Sequence, residues 1–176
     1  RQKVAPTPTP TPTQTRVTGI QGFTTSAVPQ YFIQPITQAA QNSGINPAVF
    51  ASVLFSEHGF QADRNKTPNY DDRGNILGYD RGIAQINSYW HPEVTDEQAF
   101  DPNFAIPWAA NLLGRYIKEV QAQGGTLAQG IAAYNVGVTG SMIHGAGKLG
   151  PKGKTYLGKI THGLTPELRQ ELGLST

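Results

Sequence analysis

Asn46-Pro47-Ala48-Val49-Phe50-Ala51-Ser52-Val53-Leu54-Phe55-Ser56-Glu57-His58-Gly59 is the stretch from which the rest of the chain can be read. An Asn side chain can cap a helix, and Pro at the first helical position has its φ pre-set and lacks only an N–H that would have no partner there. Val49, Phe50, Val53 and Leu54 then repeat on one face, and His58-Gly59 supplies the stop. Glu57 lies seven positions after Phe50 and four after Val53, so helical spacing sets its carboxyl on that apolar face at the C-terminal end. Desolvation and the negative end of the helix dipole both disfavour the ionised form there. A carboxyl kept protonated near neutral pH is what a general acid requires. From this position alone, a Glu facing water at a helix end, or paired with Arg64 or Arg81, fits as well.

Outward from this helix the pattern stays helical. Phe32, Ile36, Ala39 and Ala40 are spaced for a helix over about Tyr31–Asn42, with Gly44 as its stop. Asp101-Pro102 repeats the Asn-Pro start, and Ile106, Ala109, Ala110, Leu113, Tyr116, Ile117 and Val120 predict the longest helix, ending at Gly124-Gly125. Thr126 opens another through Leu127, Ile131, Ala132 and Tyr134, ended by Gly137, and Thr165-Pro166-Glu167 opens a short last one. Residues 61–81 are dominated by Asn, Asp, Gly and Pro and predict a long polar loop or small hairpin. The fold class expected is mainly α.

Residues 5–13 alternate Pro with Thr, a composition that favours extended polyproline II and cannot build a core. Residues 1–19 are therefore expected to be a tether, which holds the domain of residues 20–176 at a distance from other domains of a longer chain. Starting on Arg without a signal segment, the chain is expected to be a fragment or a processed form.

Composition narrows the function. The 176 residues suit one ordinary domain, and no apolar run approaches the roughly 18 residues of a membrane span. Cysteine is absent, which excludes disulfides, thiolate metal sites and a cysteine nucleophile. Histidines 58, 91, 144 and 162 form no metal-ligand motif, and no cofactor motif is present, so no metal or nucleotide is expected to be required. The net charge of +2 comes without a dense basic stripe, which argues against nucleic acid as a partner. Lys148, Lys152, Lys154 and Lys159, interspersed with glycines, read as a mobile basic loop, with attraction of an anionic polymer as its functional version.

Five short segments carry a more specific signal. Ser56-Glu57-His58-Gly59-Phe60, Gly82-Ile83-Ala84-Gln85-Ile86-Asn87, Phe100-Asp101-Pro102, Ala132-Ala133-Tyr134-Asn135-Val136-Gly137 and Tyr156-Leu157-Gly158-Lys159-Ile160 resemble, in order, the motif set of the soluble lytic transglycosylase (SLT) family. The resemblance implies a lysozyme-like helical fold, with the polar loop or hairpin beside the cleft. It also implies cleavage of the β-1,4 bond between N-acetylmuramic acid and N-acetylglucosamine in peptidoglycan, with formation of 1,6-anhydromuramic acid. The setting would be extracytoplasmic or virion-associated. By resemblance Glu57 is the single catalytic acid and then base, while Gly82, Ile83, Gln85, Ile86, Tyr134, Asn135 and Tyr156 line the substrate cleft.

Simpler roles stand beside these. Gln85 can lie on the surface of a strand, Tyr134 can be a core residue with a satisfied hydroxyl, Asn135 a helix cap and Tyr156 a packing residue. Trp90 and Trp108 are candidates for stacking on sugars, or for anchoring a turn and filling the core. The chain departs from the family pattern where His58 follows the Glu, where Lys66 falls at the place of a substrate-binding hydroxyl, and in the length of the segment from Glu57 to Gly82. Asn69 through Asn75 fails the EF-hand template because Arg73 occupies a ligand position, leaving a polar turn. Asp63, Asp71, Asp72 and Asp80 lie in that segment, which keeps open a hydrolytic muramidase with one of them as base. A catalytically silent wall-binding or virion module is the rival from another class.

Overall fold

The computed structural model describes residues 19–174; the Pro-Thr stretch of the expected tether lies outside the described residues. The elements run α1 (Gln30–Asn42), α2 (Pro47–His58), β1 (Lys66–Tyr70), β2 (Ile76–Arg81), α3 (Asp96–Phe100), α4 (Pro102–Ala122), α5 (Leu127–Met142), α6 (Pro151–His162) and α7 (Pro166–Glu171). The architecture is mainly α, with one antiparallel hairpin where residues 61–81 allowed a loop or hairpin.

Helix α2 is buried through most of its length. Asn46 accepts a hydrogen bond from the Ala48 N–H at 2.9 Å, and Gly59 closes the helix with its N–H on the Phe55 carbonyl. The apolar face read from the sequence is too narrow: every residue from Ala48 to Leu54 is buried. A helix enclosed on all sides needs small residues wherever neighbours approach closely, and Ala48, Ala51 and Ser52 fill that need. Ser52 is buried without penalty because its hydroxyl donates to the Ile160 carbonyl at 2.7 Å, which ties α2 to α6. Burying Phe50, Val53 and Leu54 stabilises the fold by roughly 1.5–3 kcal/mol each, against about 1 kcal/mol for the Asn46 cap.

Around α2 pack α1 and α6, and the long α4 lies against α1 and α5. Asp101 caps α4 through the Asn103 N–H at 2.9 Å, so the Phe100-Asp101-Pro102 segment is the junction between α3 and α4. The short α3, not expected from the sequence, carries a full capping box from Thr95 and Gln98. Gly137 breaks helical geometry as expected, at φ 72°, but the chain resumes a helix to Met142. The lysine-rich segment is a correction: its residues from Pro151 on form α6, not a mobile loop. Gly153, Tyr156, Leu157 and Ile160 bury one side of this helix, and the lysines decorate the other, so charge and glycine content masked an amphipathic helix.

Candidate active site

The last turn of α2 opens into a cavity of about 470 Å³, within the range of small-molecule and saccharide sites. The hairpin and the turn after it supply one wall through Asn69, Asp80, Gln85, Ile86 and Asn87; α4 and α5 supply the other. Glu57 sits between them, at the position where α2 must end because Gly59 takes the left-handed conformation.

Glu57 has its pKa raised from the ordinary 4.5 to about 7. Burial is the dominant cause, and the nearby Asp80 charge adds to it. The Tyr156 hydroxyl, donating to Glu57 Oε1 at 2.5 Å, and the Lys159 ammonium act the other way without cancelling it. Tyr156 is itself buried, and its hydroxyl is pushed well above its usual pKa, first by burial and then by the Glu57 charge, so it remains a donor at neutral pH. Oε2 of Glu57 has no protein hydrogen-bond partner among the described residues. The alternative pairings are taken up elsewhere. Arg81 donates to the Ile86 and Val94 carbonyls and to Asp96 Oδ1, while Arg64 lies over the Phe100 ring at 5.0 Å.

The expected site residues divide into two groups. Gln85, Ile86, Tyr134 and Asn135 line the cavity with Glu57. Gln85 adopts φ 51°, uncommon for a residue with a side chain, and its Nε2 donates to the Gly82 carbonyl at 2.9 Å. It belongs to a tight turn and not to a strand. Tyr134 presents its ring to the cavity while its hydroxyl donates to the Ala84 carbonyl at 3.0 Å, locking α5 to that turn. Asn135 is exposed on the α5 wall.

Gly82 and Ile83 do not line the cavity. A Cβ on Gly82 would sit 2.1 Å from the Ala99 carbonyl oxygen, and its φ of +66° also favours glycine, so Gly82 allows α3 to pack against the turn. Ile83 is 1% exposed and belongs to the core. Tyr156 is also absent from the cavity wall and reaches the site through Glu57.

Asp63, Asp71, Asp72 and Asp80 are equivalent in the sequence, and the fold separates them. Asp63 pairs with His58 at 3.1 Å, and Asp71 accepts the Arg73 and Asn75 N–H groups in the hairpin turn. Asp80 alone of the four lines the cavity, where Asn87 Nδ2 donates to its Oδ1 at 2.8 Å. Asn69, Asn87, His91 and Tyr116 are cavity residues that the sequence did not single out as ligands. Strand alternation would have identified Asp80 and Asn69 only if the hairpin register had been known. Trp90 and Trp108 both border the cavity. Trp90 is 67% exposed at its mouth, whereas Trp108 packs edge-on against His91. Among the described residues, no three His, Asp or Glu side chains gather to hold a metal.

Comparison with curated proteins and with solved structures returned no match. The family model of the transglycosylase SLT domain matches residues 34–147, a segment that holds Glu57, the hairpin, the Gln85 turn and the Tyr134-Asn135 wall, while Tyr156 lies beyond it. That match spans well over half of the chain, and the protein therefore belongs to the transglycosylase SLT domain family.

Proposed function

We propose that this domain is a peptidoglycan lytic transglycosylase in which Glu57 acts first as acid and then as base. Family membership directs the cleft to peptidoglycan, a polymer met outside the cytoplasm, and no described helix is long and apolar enough to cross a membrane. The observation that carries the chemistry is the Glu57 carboxyl with its pKa raised to about 7 in the cleft. Near neutral pH a substantial fraction is protonated, so Glu57 can give a proton to the glycosidic oxygen as the C–O bond breaks. The resulting carboxylate takes the proton of the muramic acid C6 hydroxyl as that oxygen bonds to C1. The electron pair of the cleaved bond stays on the departing N-acetylglucosamine oxygen, and no water is consumed. Tyr156 holds Oε1 and leaves Oε2 for proton transfer. Residues 1–19 are proposed to tether the domain to the rest of a longer polypeptide.

Asp80 favours a second reading. A second carboxyl lining the same cavity as the acid is the arrangement that hydrolytic glycosidases use as an acid and base pair. Mass spectrometry of fragments released from purified peptidoglycan by wild type, Glu57→Gln and Asp80→Asn separates the readings. Fragments ending in 1,6-anhydromuramic acid, lost in Glu57→Gln and retained in Asp80→Asn, are the expected outcome. Reducing muramic acid ends, heavier by one water and lost in both variants, would establish the muramidase. No release by wild type would place the protein among silent wall-binding modules.

A further inference from the structure

Asn69 stands on β1 opposite Gly78, and the register of the hairpin slips immediately after it, between Asn69 and Tyr70. Such irregularities re-aim side chains, and they are over-represented beside active sites. The Asn69 side chain lines the cavity, yet its Nδ2 is buried and has no hydrogen-bond partner among the described residues. A buried amide donor without an acceptor is costly, and native proteins seldom keep one without a use.

The neighbouring amides on the same wall are already engaged. Asn87 gives Nδ2 to Asp80, and its Oδ1 accepts the Tyr89 and Trp90 N–H groups. Gln85 gives Nε2 to the Gly82 carbonyl. Asn69 is thus the amide on this wall whose donor is left for a ligand.

We propose that Asn69 reads the substrate by donating to a carbonyl oxygen on the glycan, that of an N-acetyl group. This rests on the reading of the cleft as a peptidoglycan site. A carbonyl suits the position because it only accepts and so matches a donor that lacks an acceptor, whereas a sugar hydroxyl brings a donor of its own that needs a further acceptor. Trp108 lines the same cavity and offers apolar surface to the acetamido methyl. The extended hairpin thereby makes the site selective for N-acetylated glycan.

The test is calorimetric binding with the full chain carrying Glu57→Gln, which prevents turnover. The probes are an N-acetylglucosamine tetramer, which has acetamido carbonyls and no peptide, and the same tetramer stripped of its acetyl groups. Adding Asn69→Ala is expected to weaken binding of the acetylated tetramer about five- to tenfold and to leave the stripped tetramer unchanged. The added substitution should also melt no lower than its parent, since it removes an orphaned donor and not a structural bond. An equal loss for both tetramers, or none for either, overturns the inference. A loss seen only with muramyl-peptide fragments reassigns the donor to a stem-peptide carbonyl and overturns the acetamido assignment. Failure of the parent to bind either tetramer would instead overturn the saccharide reading of the cleft, and this inference with it.

Discussion

Replacing Tyr156 with Phe removes a single hydroxyl from the side chain that holds Glu57. That hydroxyl donates to Glu57 Oε1 at 2.5 Å and favours the ionised carboxyl. Glu57 stands at about 7 because burial, joined by the Asp80 charge, outweighs the opposing effects of Tyr156 and Lys159. A hydrogen bond to an ionised group contributes roughly 1.5–3 kcal/mol. At about 1.4 kcal/mol per pH unit, its loss raises the Glu57 pKa by about one to two units. In the proposed mechanism Glu57 acts first in its protonated form, so activity should fall as pH rises through that pKa. The alkaline limb of the rate profile in Tyr156→Phe should therefore move upward by about one to two units. Initial rates of muropeptide release at low substrate, measured from the neutral to the alkaline range, report the limb. A carbon-13 NMR titration of the Glu57 carboxyl reports the same pKa without turnover. A limb and a carboxyl titration that both stay in place, or move down, would refute Tyr156 as the donor to ionised Glu57.

Glu57 also sets the pH dependence of stability. Its folded pKa of about 7 lies above the ordinary 4.5, so the folded state holds the proton more tightly than the unfolded chain. The wild type carries no charge penalty below pH 4.5, and the penalty grows to about 3 kcal/mol as pH rises through 7. Glu57→Gln should gain stability relative to wild type across that window and level off above it; a pH-independent difference in urea unfolding would contradict the burial of this charge. Gly82→Ala should cost roughly 2–5 kcal/mol, combining left-handed backbone strain with the clash on the Ala99 carbonyl. A thermal midpoint within a degree or two of wild type would show that the turn relaxes freely.

The helices were legible in the sequence because their signals are local. Asn46-Pro47, Asp101-Pro102 and Thr165-Pro166 announce helix starts by side-chain capping and proline geometry, and each cap forms as expected. Glu57 could be placed at the inner end of its helix by counting residues. The lysine-rich α6 was not legible, since glycines and charges obscure an apolar face that makes sense only once Ala132 and Ser52 pack against it. Gln129 shows the same limit. Beyond its capping role for Thr126, its fully buried amide also binds the carbonyls of Ser141, Gly145 and Lys148, partners up to nineteen residues away.

By itself, then, the sequence determined the helical class, the family and the position of Glu57 at the inner end of its helix. Those depend on residue order and spacing alone. Which carboxylate shares the cavity, that Gly82 and Ile83 serve packing, and that Asn69 has an unspent donor were decided only by the tertiary structure. They depend on the hairpin register and on which distant groups a side chain meets when water is excluded, and neither is encoded at short range.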